Sequence, residues 1–376
     1  MSTRSLDEAR ADRMRIAIDA REILDRPTGV GRYLLEILRA WTNTHEASEH
    51  EFVLCAPKQP AVEVSNVFTT LTAPGNGTLW EQRTLPQLVR RARADVLFAP
   101  AYTSPIRCPV PVVVTIHDVS FAAHPEWFAW REGFRRRTVA RMSAMRAARV
   151  IADSEFSKHE IAARLGVDRS RIEVIYLGAP APPPTSPREP LVLYVGSIFN
   201  RRHLPALIAG FARLAATHPT VRLEIVGDNR THPPIDIAAA IASSGAADRI
   251  RIRPYVSDAD LSSLYASASA FAFLSEYEGF GLTPLEAMAA GVPIVVLDTD
   301  VAREIYGAAA EYVARPEPAL VGAALARVLT DNATRSRLIE AGSSQRERYS
   351  WSECARRTLD VLLAAGRENG VGPHFT

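Results

Sequence analysis

The chain has 376 residues, about twice the length of a typical domain, and this length favours two domains. A formal net charge of +2 argues against a broad nucleic-acid-binding surface, and we expect no nucleic-acid partner. The three cysteines are far apart and lack metal-ligand spacing, so we expect no structural zinc. The N-terminus is polar without the apolar core of a signal peptide, and the chain has no long apolar run. These features predict a cytoplasmic protein and leave attachment to a membrane surface open.

Short β-branched runs alternate with helical patterns in the first half, which is typical of βαβ units and a parallel sheet. The expected strands are RIAID (15–19), FVLCA (52–56), DVLFA (95–99), VVVTI (112–116), VIADS (150–154) and IEVIY (172–176). Helical patterns lie between them, as in GVGRYLLEILRAW (29–41) and FRRRTVARMSAMRAA (134–148).

A stretch with six prolines in fourteen residues, LGAPAPPPTSPREP (177–190), follows the first half. Proline fixes φ and lacks a backbone donor, so we expect a semi-rigid linker here. The strand pattern resumes in LVLYVG (191–196), LEIVGD (223–228), RIRPYV (251–256), AFAFLS (270–275), PIVVLD (293–298) and AEYV (310–313), and SWSECARRTLDVLLAAG (350–366) is expected to form one amphipathic helix. The sequence therefore predicts two doubly wound α/β domains in series.

Residues that do not suit a packed core come directly after the expected strands. They are TGVG (28–31), His117 with Asp118, Ser154, GSIFNRR (196–202) and EYEGFG (276–281). Ligands of open parallel sheets bind outside the carboxyl ends of the strands. We therefore expect two facing sheets with one ligand cleft between the domains.

Two of these loops suit phosphate groups. Gly29 and Gly31 precede a helix, where the backbone can approach an anion closely, although a tight turn without a ligand explains them equally well. Arg201 and Arg202 follow a strand that ends in Gly196. Paired guanidinium groups suit a diphosphate, but paired arginines are also common on solvated surfaces.

The stretch SEYEGFGLTPLEAMAAGVP (275–293) holds two acids that could bind a ligand. TPLE has the capping-box pattern, which predicts Thr283 as the N-cap residue and a Glu286 side chain that reaches back to it. Glu278 precedes a Gly-Phe-Gly turn and has no cationic neighbour in sequence, so it is a candidate to bind sugar hydroxyls. If so, Glu278→Gln should cost little stability, because the partner of Glu278 would be the ligand.

The segment EYEGFGLTPLEAMAAGVPIVV (276–296) resembles the E-x7-E signature of the retaining glycosyltransferases of family four, which have the GT-B fold. The resemblance covers nearly the whole chain and includes RIAIDAREILDRPTGVGRY (15–33), TLWEQRTLPQLVRRARADVLFAPAY (78–102), VTIHDVSFAAHPEWF (114–128), VIADSEFSKHEI (150–161), LYVGSIFNRRHL (193–204) and SWSECARRTLDVLL (350–363). It implies a Rossmann-like acceptor-binding domain over 14–180, a Rossmann-like nucleotide-sugar-binding domain over 188–350, and a C-terminal helix in 351–376 that returns to the first domain.

The resemblance also implies an activity. A hexose would move, with retention, from a nucleotide sugar to a glycan or lipid-linked acceptor in surface polysaccharide or glycolipid synthesis, without a metal ion or other cofactor. The TGVGRY and HDVSFAAHPEWF segments are most similar to those of mannosyl- and rhamnosyltransferases, so GDP-mannose is the expected donor.

The implied catalytic residues are His117, Glu278, Arg201 and Arg202. His117 would lie beside the anomeric carbon, Glu278 would bind donor-sugar hydroxyls, and the two arginines would hold the diphosphate. Glu286 would bind the ribose hydroxyls. The implied donor-binding residues are Gly29, Gly31, Gly196, Arg201, Arg202, Glu278, Gly279, Phe280, Gly281, Leu282 and Glu286. Arg202 stands where the family usually has lysine, and His203 where asparagine is common.

Several alternatives remain at this point. DTD (298–300) could bind a divalent ion, but we interpret it as a polar loop. The basic helical stretch 134–146 could lie on an anionic membrane or simply present a solvated face. The chain could also be a GT-B sugar-nucleotide epimerase, which needs no acceptor, or an inactive protein that binds sugar nucleotides.

Overall fold

The computed structural model describes residues 13–25, 27, 29–61, 65–184 and 186–368. Two compact units are formed by these residues. The first contains the described residues within Met1–Val119, Phe134–Gly178 and Ser350–Thr376, and the second those within Ser120–Gly133 and Ala179–Tyr349. Thr28 of the glycine loop and residues 369–376 of the expected C-terminal segment lie outside the described residues.

The described strands, in chain order, are β1 (Arg15–Asp19), β2 (Glu51–Ala56), β3 (Phe68–Thr72), β4 (Val96–Ala99), β5 (Val112–Ile116), β6 (Arg149–Ala152), β7 (Ile172–Val174), β8 (Leu191–Val195), β9 (Arg222–Val226), β10 (Ile250–Arg253), β11 (Ala270–Phe273), β12 (Ile294–Leu297) and β13 (Ala310–Val313).

The described α-helices are α1 (Gly29–Thr42), α2 (His45–Ser48), α3 (Gly77–Leu79), α4 (Leu85–Ala92), α5 (Ser120–Ala123), α6 (Trp130–Arg146), α7 (Glu155–Leu165), α8 (Leu204–Thr217), α9 (Ile237–Ala242), α10 (Asp258–Ser267), α11 (Leu282–Ala289), α12 (Asp300–Tyr306), α13 (Pro318–Thr330), α14 (Asn332–Arg346) and α15 (Trp351–Glu368).

The first unit is built on a parallel sheet with the strand order β3-β2-β1-β4-β5-β6-β7. Its central strands β4 and β5 are buried along their whole length, as expected for a sheet that is covered on both faces. The strand order reverses between β1 and β4. The loops that follow these strands therefore lie at the switch point, where such sheets bind ligands.

The C-terminal helix α15 packs on α1 within the first unit. Apolar residues at helical spacing, among them Leu359 and Leu362, bury one face of α15. The indole Nε1 of Trp41 in α1 donates to the Ala355 carbonyl over 2.9 Å. This packing agrees with the expected return of the C-terminal helix to the first half of the chain.

The second unit repeats the same topology, with the order β10-β9-β8-β11-β12-β13 and a switch point between β8 and β11. Ala270 and Phe271 of β11 pair in parallel with Val192 and Leu193 of β8. The prediction of two doubly wound parallel-sheet domains is confirmed.

One strand was not expected from the sequence. β3 lies at the edge of the first sheet, and in FTTLT only Phe68 is buried, so no apolar run or clear alternation marks it. The expected strand RIRPYV is also shorter than predicted, because β10 ends before Pro254, which cannot donate to a ladder. No helix in the described part of the chain is both long and apolar enough to cross a membrane.

Candidate active site

Two loops of the second unit meet at its switch point. Asn200–Arg202 forms a short 3-10 turn after β8, and EYEGFG follows the neighbouring strand β11. The backbone N–H of Glu276 donates to the Arg201 carbonyl over 2.9 Å. The sequence-predicted residues of both loops are thus brought together where an open α/β sheet binds its ligand.

Arg202 is held on several sides. Its Nε donates to Glu278 Oε1 over 3.0 Å, its Nη1 donates to the Ser197 carbonyl over 2.7 Å, and its guanidinium lies 4.7 Å from the Phe273 ring centre. Burial opposes the charge, but the Glu278 carboxylate outweighs it and raises the pKa of Arg202. Gly196, with a φ of 140°, leaves room for this guanidinium, since a Cβ there would lie 2.4 Å from Nη1.

Arg201 is as buried as Arg202 but far less engaged. The residue is 8% exposed, and its Nε lies 3.8 Å from Glu278 Oε1, beyond hydrogen-bond distance. This buried Nε has no hydrogen-bond partner among the residues that the structure describes. The guanidinium lies 4.5 Å from the Phe199 ring centre. One carboxylate, Glu278, therefore faces two guanidinium groups, so these three side chains together carry a positive charge.

Glu278 has partners within the protein. Its Oε1 accepts from Ser275 Oγ over 2.8 Å as well as from Arg202, which is 76 residues away in sequence. Sequence reasoning therefore could not find this cation. The expectation that Glu278→Gln costs little stability is wrong in its premise, because Glu278 compensates a buried arginine.

The helix after the glutamate loop begins earlier than the capping-box pattern predicts. α11 starts at Leu282, and its N-cap residue is Gly281, with a φ of 88° and no side-chain cap. A Cβ on Gly281 would lie 2.0 Å from the Tyr306 hydroxyl, which donates to the Gly281 carbonyl over 3.0 Å. Thr283 as N-cap is thus wrong, because left-handed Gly281 starts the helix. Phe280, in the same turn, is buried.

Glu286 is the fifth residue of α11 and contacts a different element. Its Oε2 accepts a hydrogen bond of 2.7 Å from the hydroxyl of Tyr265 in α10. Sequence reasoning missed Tyr265, since nothing in its local pattern distinguishes it from a core tyrosine.

In the first unit, His117 follows β5 and forms a buried ion pair with Asp153, which follows the adjacent strand β6. Nδ1 of His117 lies 2.8 Å from Asp153 Oδ2, and Nε2 lies 2.9 Å from the Pro100 carbonyl. Burial opposes protonation, but Asp153 and the Pro100 carbonyl outweigh it and raise the pKa of His117 above 6.5. Both ring nitrogens therefore face oxygen atoms, and burial raises the pKa of Asp153 as well, so the two groups titrate as a coupled pair.

A second polar cluster of the first unit was also missed. Arg21, just after β1, joins two buried carboxylates: its Nη2 lies 2.6 Å from Asp19 Oδ2 and 2.8 Å from Glu81 Oε1. Glu81 lies in a π-helical turn, Trp80–Thr84, and also accepts from the Thr103 hydroxyl. The sequence offers little signal for this cluster, because Glu81 is 60 residues from Arg21 and lies in a helical turn.

The two glycines of the first loop differ in their surroundings. α1 begins at Gly29, and a Cβ there would meet nothing within 4 Å. A Cβ on Gly31 would lie 2.4 Å from the Glu22 carbonyl and 2.9 Å from Pro27 Cβ. Gly31 is therefore needed for the packing of α1 against the preceding turn, whereas Gly29 leaves open space.

The DTD stretch has a role within the protein. Arg303 donates to both oxygens of Asp298, from Nε and from Nη2, each over 2.7 Å. The Thr299 hydroxyl caps α12 by accepting from the Ala302 N–H. Over the described residues, no group of three or more His, Cys, Asp or Glu side chains could hold a metal ion.

Two protein-family models together match most of the chain. The model described as Glycosyltransferase Family 4 matches residues 27–181, and the one described as Glycosyl transferases group 1 matches residues 180–345. O-antigen chain mannosyltransferase B of Escherichia coli is 25% identical over 366 residues, which cover 89% of this chain and 95% of that protein.

Solved structures show the same fold. Sucrose-phosphate synthase from Thermosynechococcus elongatus superposes with a TM-score of 0.74 at 18% identity, over 93% of this chain and 98% of that one. Anabaena HepE in complex with UDP-glucose superposes with a TM-score of 0.73 at 18% identity, over 93% of this chain and 100% of that one. The comparisons give no support to the epimerase or to the inactive binding protein.

Proposed function

This chain belongs to the family 4 and group 1 glycosyltransferases, and we propose that it transfers a hexose from a nucleotide sugar to a glycan or lipid-linked acceptor in the synthesis of a surface polysaccharide or glycolipid. Its similarity to an O-antigen chain mannosyltransferase supports mannose as the hexose and GDP-mannose as the first donor to test. In the reaction, the bond from the anomeric carbon to the diphosphate breaks, a bond to the acceptor oxygen forms with retention, and the proton of the acceptor hydroxyl passes to an oxygen of the departing diphosphate.

The observation that carries this proposal is the positive charge left over beside Glu278. The side chains of Arg201 and Arg202 are only 9% and 12% exposed, yet the single carboxylate of Glu278 faces them, and the buried Nε of Arg201 has no hydrogen-bond partner within the described part of the chain. Such a donor costs free energy unless a ligand accepts from it. A diphosphate offers several charged acceptor oxygens, and its charge rises as the sugar leaves, so preorganised guanidinium groups favour the transition state.

The remaining donor contacts follow from the chemistry of the two acids. We assign Glu278 to the hydroxyls of the transferred hexose and Glu286 to the ribose hydroxyls of the nucleotide, since carboxylates accept hydrogen bonds from both. We expect no metal ion in the reaction, because arginine supplies permanent positive charge to the leaving diphosphate.

His117 has an electrostatic and positioning role in this proposal. A base needs an unprotonated nitrogen, and both ring nitrogens of His117 face acceptors, one on Asp153 and one on Pro100. The buried imidazolium would instead orient its loop and contribute positive charge to the polar end of the first sheet.

We place the acceptor at the cytoplasmic face of a membrane. On the 134–146 part of α6, Phe134 is 57%, Met142 41% and Met145 49% exposed, and these residues share one helical face. Arg141 and Arg146 are exposed beside them. An apolar stripe flanked by arginines suits an anionic lipid surface, where a lipid-linked acceptor would be found.

The proposal is tested by incubating the protein with UDP-, GDP- and dTDP-hexoses, alone and with simple glycans or polyprenyl-diphosphate-linked sugars. We expect release of the nucleoside diphosphate only with an acceptor, retention in the product, and no loss of rate with a chelator. An isomeric sugar nucleotide formed from donor alone would instead identify an epimerase. Tight nucleotide binding without transfer to any acceptor would contradict the proposed activity.

A further inference from the structure

Glu286 is held by a tyrosine that belongs to a different helix. Tyr265 is 5% exposed in α10, and its hydroxyl donates to Glu286 Oε2 over 2.7 Å. Hydrogen bonds from a hydroxyl to a carboxylate are short and strong compared with those between neutral groups. This bond fixes one oxygen of the carboxylate, and with it the plane of the whole group.

The position of that hydroxyl is itself well determined. The ring of Tyr265 packs against Phe271 of β11, with ring centres 5.9 Å apart. Arg188 joins the carboxyl ends of the two helices: its Nη1 donates to the carbonyls of Ala266 and Ala268, each over 3.0 Å, and its Nη2 donates to the Gly291 carbonyl over 3.1 Å. The helices that carry Tyr265 and Glu286 therefore cannot shift independently.

We propose that Tyr265 is a positioning residue that orients the Glu286 carboxylate toward the two ribose hydroxyls of the donor nucleotide, and so makes binding selective for ribose over 2′-deoxyribose. The inference rests on the proposed role of Glu286. Two adjacent hydroxyls can both bond to one carboxylate only if its plane is set, and a side chain fixed before binding loses less conformational entropy. A ligand without one hydroxyl leaves an oriented oxygen unpaired, and such mismatches discriminate strongly.

The test uses Tyr265→Phe, which removes the hydroxyl and keeps the packed ring. Calorimetry measures the Kd of GDP and 2′-deoxy-GDP, and of UDP and 2′-deoxy-UDP as a second pair. We expect the affinity for the ribonucleotide to fall about 5- to 20-fold and that for the deoxynucleotide to fall less, so that their ratio shrinks. The KM for the sugar nucleotide should rise while kcat at saturating donor is retained.

A matched control removes a tyrosine hydroxyl elsewhere in the same unit. The hydroxyl of Tyr312 donates to the carbonyls of Ala302, over 3.1 Å, and Gly307, over 2.7 Å. Tyr312→Phe should leave the ratio of the two affinities at the wild-type value. Since the ratio compares two ligands on one protein, a partly unfolded sample lowers both apparent affinities equally and leaves the ratio intact.

Glu286→Gln separates this inference from its premise. If Glu286→Gln keeps the wild-type preference for ribose, the proposed role of Glu286 fails, and the inference fails with it. If Glu286→Gln abolishes the preference while Tyr265→Phe retains it in full, the role of Glu286 stands and the positioning role of Tyr265 is overturned. When both are correct, Tyr265→Phe should have no further effect on the ratio in the Glu286→Gln background.

Discussion

The side chains near the carboxyl ends of the strands differ in charge between the two sheets. In the first unit, three buried acids, Asp19, Glu81 and Asp153, face one arginine, Arg21, and one histidine, His117. Burial and then the Asp19 carboxylate raise the pKa of Glu22, which lies in the same part of the unit. In the second unit, one carboxylate, Glu278, faces Arg201 and Arg202.

The two units thus share one topology but carry different side chains at the carboxyl ends of their strands. An acid-rich end repels phosphate and offers hydrogen-bond acceptors, which suits the hydroxyls of a sugar acceptor. An end with two guanidinium groups, one of whose Nε atoms has no partner among the described residues, suits a diphosphate. The charge left over at each switch point is therefore more informative about function than the fold, which the two units share.

The largest effect should follow from removing the Glu278 carboxylate of the second unit. Glu278→Gln leaves two buried guanidinium groups without a carboxylate, and removal of one partner of a buried pair costs about 3–5 kcal/mol. We expect a free energy of unfolding that is lower by about this amount, together with loss of transfer. Urea denaturation and a donor-turnover assay measure the two effects.

Glu276→Gln is the matched control on the same loop. The Glu276 side chain is 41% exposed and pairs with His203, so its loss should cost less than about 1 kcal/mol. Equal stabilities of Glu278→Gln and the wild type would show that Glu278 does not compensate the arginines.

In the first unit, Asp153→Asn should favour the neutral form of His117. Without the carboxylate, burial dominates and the pKa of His117 falls, which NMR titration of its imidazole measures. A raised histidine pKa stabilises the fold below about pH 6.5 and ceases to do so as pH rises through the folded pKa, at about 1.4 kcal/mol for each unit of elevation. The free energy of unfolding of the wild type should therefore fall as pH rises from about 6.5 through the folded pKa of His117. That of Asp153→Asn should not fall over the same pH range.

Asp118→Asn is the control for this change, because Asp118 contributes least among the groups that raise the pKa of His117. It should leave most of the elevation in place. An unchanged His117 pKa in Asp153→Asn would contradict the ion pair and, with it, the imidazolium.

The smallest effect concerns the exposed face of α6. Each arginine near an anionic surface contributes about 1 kcal/mol of attraction, so Arg141→Gln with Arg146→Gln should weaken binding to phosphatidylserine vesicles by about 10- to 30-fold. Arg213→Gln with Arg337→Gln, two exposed arginines of the second unit, should leave vesicle binding unchanged. Equal losses in the two double variants, or none in either, would remove the membrane proposal; flotation assays measure both.

The sequence predicts the two sheets and the loops of the second site because strand ends and motifs are local signals. Arg201, Arg202 and Glu278 were found in this way, since each lies in the loop after a buried strand. Their pairing was not predictable, because it depends on β8 and β11 lying side by side. The helix start was misjudged at Thr283 because a left-handed Gly281 overrides the capping pattern.

Partners across elements were missed for the same reason. Asp153 is 36 residues from His117, yet both directly follow neighbouring strands of one parallel sheet. That adjacency was a usable signal, since the carboxyl ends of β5 and β6 lie at the same edge. No comparable signal identified Tyr265, which lies inside one helix and bonds to Glu286 on another helix.

The central claim is that the positive charge left over in the second unit binds the donor diphosphate, and calorimetry of Arg201→Gln tests it most directly. Loss of hydrogen bonds to a charged group costs about 1.5–3 kcal/mol, so the Kd of the preferred nucleoside diphosphate should rise about 10- to 100-fold. The Kd of the matching nucleoside, which carries no phosphate, should stay at the wild-type value. A diphosphate affinity that is unchanged, or equal losses for diphosphate and nucleoside, would contradict the account.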